Sequence, residues 1–198
     1  PKGKQTEYRK TVNVLNDAFS GRIKIYCGIE QDFYSTVPTD DYDYVIGSVH
    51  YILKDGVYIP IDETAEILKQ AVKEHFAGDM MGLCEAYFEN AGRVHEKTKC
   101  DIVGHFDLIT KFNEQEKLFD EADPRYINAY KKAVDRVIKG CKVFEINTGA
   151  VSRGYRTTPY PSESIRDYIR QKGGRFILSS DSHQKKTLCF AFDKFRSL

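Results

Sequence analysis

No run of apolar residues in this chain approaches the roughly 20 needed to cross a bilayer, so no membrane-spanning helix is expected and a membrane is not an expected partner. Neither sign of charge predominates. Thirty Lys and Arg stand against 29 Asp and Glu, a formal net charge of +1, and no whole-molecule field draws in nucleic acid or anionic lipid. A basic stripe is missing as well, which argues against a protein that binds the phosphate backbone of nucleic acid. Any anionic substrate must be held by local groups. The five cysteines, Cys27, Cys84, Cys100, Cys141 and Cys189, are odd in number, well separated and without a C-x-x-C pair, which argues for reduced thiols and against disulfides or a zinc ribbon. Three of them, Cys27, Cys100 and Cys141, lie in apolar strand-like runs, where a free thiol behaves as a small hydrophobe. The stretch 1–10 is polar and lacks the apolar core of a secretory signal, so a cytoplasmic location is expected. No repeat, low-complexity tract or linker interrupts the chain.

What remains is the balance of an ordinary globular protein, 41% apolar and 30% charged over 198 residues, enough polymer for one domain with one core. Five β-rich runs stand out: 22–28 (RIKIYCG), 44–49 (YVIGSV), 101–106 (DIVGHF), 142–147 (KVFEIN) and 175–180 (RFILSS). Each is nearly continuously apolar, as suits a strand buried on both faces of a parallel sheet. Helical periodicity fills the intervals. Residues 6–19 align Tyr8, Val12, Leu15 and Phe19, and Asp62 is a plausible N-cap for a helix carrying Ile67, Leu68, Ala71, Val72 and Phe76. Further helices are predicted at 79–97, from Asp123-Pro124 to Gly140, and from Ser162 to Gly173. Strands alternating with helices of this length predict β/α units around a parallel sheet or barrel.

The chemistry gathers where those strands end. Glu30 follows CGI, His50 follows GSV, His105 lies in VGHFD, Asn147 and Thr148 follow FEI, and Asp181 and His183 follow LSS. In β/α architectures the loops at the carboxyl ends converge, so groups from separate strands meet there. A lone strand-end His is more often a hydrogen-bonded structural residue than a ligand, and a lone carboxylate is more often a cap. The conjunction of three of the chain's five His with two carboxylates is what favours a metal site. Mixed imidazole and carboxylate donors suit zinc, iron or manganese better than calcium or magnesium. His75 and His95 fall on predicted helices away from this rim and are expected to be surface or helix-packing residues. Arg153 and Arg156 lie in the loop after the fourth strand, where a guanidinium could clasp a phosphate bidentately or simply be solvated. Asp107 could orient the His105 imidazole or cap the segment that follows.

The stretches Gly28-Ile29-Glu30, Gly47-Ser48-Val49-His50, Gly104-His105-Phe106-Asp107, Glu145-Ile146-Asn147-Thr148 and Ser180-Asp181-Ser182-His183 resemble the PHP metalloesterases (polymerase and histidinol phosphatase), and among them the monofunctional histidinol-phosphatases. The resemblance spans residues 25–188, in the family's order. It implies a single PHP-like domain over 1–198, a distorted (β/α)7 barrel, up to three divalent metal ions, and hydrolysis of a small phosphate ester, L-histidinol phosphate, by a metal-activated water in histidine biosynthesis. It implies that Glu30, His50, His105, Asp181 and His183 are metal ligands, with Glu30, Asp181 and His183 catalytic, and that Arg153 or Arg156 contacts the substrate phosphate. The family's N-terminal His-x-His strand and the strand after it have no counterpart here. The resemblance therefore implies a barrel lacking its first two strands, fewer metal ions, low activity in this chain alone, and exposed edges open to a second copy. A PHP-type nuclease, and a remnant that keeps the fold as a binding partner, are the alternatives.

Overall fold

Parallel pairing needs a crossover between consecutive strands, and the chain supplies one nearly every time. In the computed structural model, which describes residues 2–198, the elements run α1 (Lys2–Ala18), β1 (Gly28–Asp32), β2 (Tyr44–Ser48), β3 (Tyr51–Lys54), β4 (Val57–Pro60), α2 (Ala65–His75), α3 (Met80–Thr98), β5 (Ile102–Val103), α4 (Asn113–Glu116), α5 (Pro124–Val137), β6 (Val143–Asn147), α6 (Gly149–Ser152), α7 (Glu163–Gln171), β7 (Arg175–Ser179) and α8 (Phe192–Phe195). Five strands form an all-parallel sheet in the order β1-β2-β5-β6-β7, so every residue past a strand's carboxyl end emerges on the same rim. The fold is α/β, as the alternation of runs predicts. Among the described residues no helix is long and apolar enough to cross a membrane.

The core lies between the sheet and the parallel pair α3 and α5. Leu83, Tyr87, Phe88, Ala91 and Val94 of α3 meet Tyr126, Tyr130, Ala133, Val134 and Val137 of α5, all 5% exposed or less. Burying each large side chain stabilises the fold by about 1.5–3 kcal/mol. The two helices approach closely because Gly92 has no side chain: a Cβ there would lie 2.9 Å from the Ala133 Cα. On the solvent side Arg125 bridges Asp79 and Glu85, and Arg136 bridges Glu89 and Glu96. An aromatic column, Phe88 to Phe106 to Phe144, carries the packing from α3 through β5 to β6, beneath the rim.

Five features differ from the sequence expectations. The first strand is not 22–28 but Gly28–Asp32. Its partner β2 begins at Tyr44, paired with Gly28, so residues 22–27 have no ladder to join, and Ile23 and Tyr26 stay exposed. Burial on both faces holds only for β6; β1 and β7 form the sheet's edges and are largely uncovered. Of the α1 stripe only Val12 is buried, while Tyr8, Leu15 and Phe19 remain exposed. The N-cap of α2 is Thr64, whose hydroxyl accepts from the Ile67 amide at 3.2 Å, and not Asp62. The hairpin β3–β4 was not among the predicted runs. Its turn is Asp55-Gly56, with φ of 51° and 78°, the pair that a tight antiparallel turn demands. By contrast Asp123 caps α5 as predicted, accepting from the Arg125 amide at 2.7 Å with Pro124 behind it.

Candidate metal centre

Because β1, β2 and β5 are in register, three donors from three strands meet. Glu30 lies within β1, His50 two residues past β2, and His105 two residues past β5. The Glu30 Oε1 sits 3.0 Å from His105 Nε2 and 3.5 Å from His50 Nε2, and one donor atom from each of the three residues lies within 4.8 Å of the others. The two imidazoles meet edge to face, with ring centroids 5.0 Å apart. The His50 ring is held from behind, whereas the far nitrogen of His105, Nδ1, is buried with no hydrogen-bond partner. The far nitrogen of His50, Nδ1, faces Asp32 Oδ2 at 3.2 Å, and the same carboxylate accepts the His50 amide at 3.1 Å. Such a carboxylate behind an imidazole fixes its tautomer and raises its basicity. The His105 backbone amide donates to the buried Glu145 at 3.0 Å, and Glu145 also accepts from Asn147 Nδ2 at 3.1 Å. Asn147 in turn accepts from the Gly149 amide, tying the strand end to α6.

The electrostatics follow from this packing. Burial would raise the Glu30 pKa, but the hydrogen bond and charge of His105, with the charge of His50, override it and hold the carboxyl well below the usual range. Burial would likewise lower His105, yet the hydrogen bond and charge of Glu30, then Glu145 and Asp181, push it up to about 9. Asp32 is also lowered, the hydrogen bonds from His50 and Tyr34 outweighing its burial. A protonated imidazole therefore stands where a cation would satisfy Glu30. The donors fit one: an oxygen and two imidazole nitrogens converge, and the carboxylate that joins them stays 43% exposed to the cavity.

These groups form one wall of a cavity of about 260 Å³ lined also by Asp62, Lys111, Arg153, Tyr155, Asp181 and His183. Across it, Arg153 grips Asp181 twice, through the carboxylate at 2.9 Å and the backbone carbonyl at 3.1 Å. Asp181 adopts the left-handed region, φ 44°, just past β7. His183 Nε2 lies 3.4 Å from Asp181 Oδ1, with its side chain 78% exposed.

The structure thus brings Glu30, His50, His105, Asp181, His183 and Arg153 to one cavity. It places Arg156 elsewhere: buried beneath the Tyr160 ring at 4.7 Å, hydrogen-bonded to Thr110, and facing Asp107 at 3.8 Å and Glu114 at 3.7 Å. Asp107 does not reach the His105 ring; its carboxylate accepts the Ser162 amide at 2.8 Å. His75 pairs with Asp55 at 3.2 Å, and His95 donates from Nδ1 to the Cys100 carbonyl, both away from the cavity. Asp32 and Lys111 were not singled out from sequence, and Asp62 was expected only as a helix cap. Asp32 could have been, as a carboxylate two residues beyond Glu30 on the same face of a strand. Lys111 is a second cation on the wall, its pKa lowered by burial against the nearby Asp62 charge.

The profile of the PHP domain matches residues 5–149. A protein of Schizosaccharomyces pombe named probable histidinol-phosphatase is 26% identical over 188 residues, covering 89% of this chain and 59% of that protein. One of Deinococcus radiodurans bearing the same name is 28% identical over 197 residues, covering 94% of this chain and 68% of the relative. The chain therefore spans little more than half the length of the fission-yeast relative. A crystal structure from Listeria monocytogenes, provisionally described as a histidinol phosphatase, superimposes with a TM-score of 0.81 at 19% identity, over 98% of this chain and 76% of that one. That likeness concerns the fold.

Proposed function

Since the chain belongs to the PHP domain family, we propose that it is a metal-dependent phosphomonoesterase, and that its substrate is L-histidinol phosphate, released as L-histidinol and inorganic phosphate. The observation that carries the reading is the meeting of Glu30 with His50 and His105 in the same cavity as Arg153. The names of the curated relatives support the substrate. Glu30, His50 and His105 would hold one cation, and Asp181 with His183 would supply donors for a second. A divalent ion of the zinc, iron or manganese class supplies charge neutralisation at a phosphoryl oxygen and lowers the pKa of bound water to about 7.

The chain's own residues do the rest. Asp32 keeps the His50 imidazole aimed and Glu145 anchors the backbone that carries His105, which preorganises the donor set. Arg153 and Lys111 present positive charge to a phosphate entering the cavity, which the near-neutral chain cannot attract from a distance. Tyr155 and Tyr160 give the pocket an apolar side suited to a small organic group. The same reading makes the five-stranded sheet an arc of a distorted (β/α)7 barrel; what supports it is the parallel order and the convergence of strand ends.

The test loads the metal-stripped protein with zinc, manganese or ferrous iron, measures bound metal, and follows phosphate release from histidinol phosphate beside cleavage of a DNA end. Bound metal with ester-selective release, both lost in Glu30→Gln while circular dichroism is unchanged, is the expected result. Metal content indifferent to Glu30→Gln, or DNA cleavage without ester hydrolysis, would overturn the reading.

A further inference from the structure

A second group of donors lies at the other end of the sheet. His95 is in the last turn of α3, Cys100 precedes β5 and Cys141 precedes β6, so the three gather at the amino ends of the strands whose carboxyl ends face the cavity. One donor atom of each lies within 4.8 Å of the other two. We infer that His95, Cys100 and Cys141 form a binding site for a thiophilic metal ion of the zinc or cuprous class, separate from the Glu30 cavity and independent of the function proposed above.

Three observations support it. Both thiols are buried, Cys100 to 2% and Cys141 to 5% exposure, so a metal there would be shielded from water. The His95 Nδ1 lies 3.0 Å from the Cys100 carbonyl, which can only accept; that bond puts the proton on Nδ1 and leaves Nε2 with a free lone pair. A ligand imidazole usually has its other nitrogen fixed this way. The space is provided by two glycines. A Cβ on Gly140 would sit 2.1 Å from His95 Cδ2 and 2.7 Å from Nε2, and one on Gly47 would sit 2.7 Å from Cys100 Sγ.

Two thiolates and an imidazole make a soft donor set, unlike the carboxylate-rich one around Glu30. On binding, the metal replaces the thiol protons, which pass to solvent, and Cys141 gives up its donation to the Asp101 carbonyl at 3.2 Å. The ion would tie the end of α3 to the starts of β5 and β6, bracing the strands that carry His105 and Glu145.

The experiment uses the full chain with Cys189→Ser, which removes the one exposed thiol, reduced and stripped of metal. Cobalt(II) is titrated in and then displaced by zinc. We expect near-ultraviolet sulfur-to-cobalt charge-transfer absorption that saturates at a single equivalent and persists in Glu30→Gln. It should be abolished by Cys100→Ser, and Gly140→Ala or His95→Ala should weaken affinity about 10–100-fold. If the serine variant does not fold, alkylation of Cys100 and Cys141 in the Cys189→Ser protein, read by mass spectrometry, replaces it: zinc should slow both together. No charge-transfer band, a band lost with Glu30→Gln but kept in Gly140→Ala, alkylation indifferent to zinc, or a Cys100–Cys141 disulfide that survives mild reductant would each overturn the site.

Discussion

Gly104 offers the most direct test of how tightly the rim is built. It joins β5 to His105, donates its amide to the Gly47 carbonyl at 2.9 Å, and lacks the positive φ that would make glycine necessary for the backbone. Its reason is space: a Cβ would fall 2.3 Å from Ser48 Oγ, 2.9 Å from Ile46 Cγ2 and 3.4 Å from Glu145 Oε2. Ser48 and Glu145 are buried, so neither can simply move into solvent. Gly104→Ala should therefore cost about 1–3 kcal/mol as an overpacked site, set against a gain of about 0.4–1 kcal/mol from a stiffer unfolded chain. In a domain of this size each kcal/mol moves Tm by about 2–4 °C, so a fall of up to roughly 10 °C is expected in the metal-free protein. Because the clash falls on Ser48, two residues before His50, metal affinity should fall as well, about 10–100-fold. Thermal melts and metal titration measure the two effects. Adding Ser48→Ala removes the nearest clashing atom, so the double variant should recover much of the lost Tm, a coupling that independent sites would not show. A Gly104→Ala protein that melts at or above the parent with unchanged metal affinity would refute the packing argument.

Two further outcomes are expected. Arg153→Ala should raise KM for the phosphate ester about tenfold with a smaller change in kcat, the loss of one charged hydrogen bond at a partly exposed site; steady-state kinetics on the metal-loaded enzyme measure it, and an unchanged KM would remove Arg153 from substrate binding. Arg125 holds both Asp79 and Glu85 below the ordinary carboxylate range, so its contribution is present above about pH 4 and is lost as pH falls through their folded values. Arg125→Met should accordingly lower Tm at pH 7 and lose less than the parent on acidification, as melts across the acid range would reveal.

The parts of the fold legible in sequence are those where one chemical pattern has one structural outcome. The runs around Val45, Val103, Phe144 and Phe176 are strands because continuous apolar chain between helices has few other places to go. Asp123-Pro124 could only begin a helix. The run RIKIYCG has the same composition as a strand, but pairing depends on where Tyr44 begins the neighbouring strand, a long-range fact. The Asp55-Gly56 pair marks its hairpin locally, and it lay between two short apolar stretches of the kind that signal such a turn. In the site, His50, His105, Asp181 and His183 do follow strand ends as expected, whereas Glu30 lies within β1 because the first strand falls later than its composition predicts. Arg156 could not be told from Arg153 that way: its burial depends on Thr110 and Glu114, more than 40 residues earlier, and on the Tyr160 ring. Lys111 was hidden for the same reason, since its partner Asp62 lies 49 residues away.

The left-handed backbone of Asp181 narrows what natural variation or a mutant library can place there. Branched and bulky side chains resist such a turn, while Asn and Gly accept it. The residues able to keep the chain's path are thus few, and only Asp among them carries a negative charge. At this position the choice of charge and the choice of chain direction are made by a single codon, and Asn is the substitution that separates them.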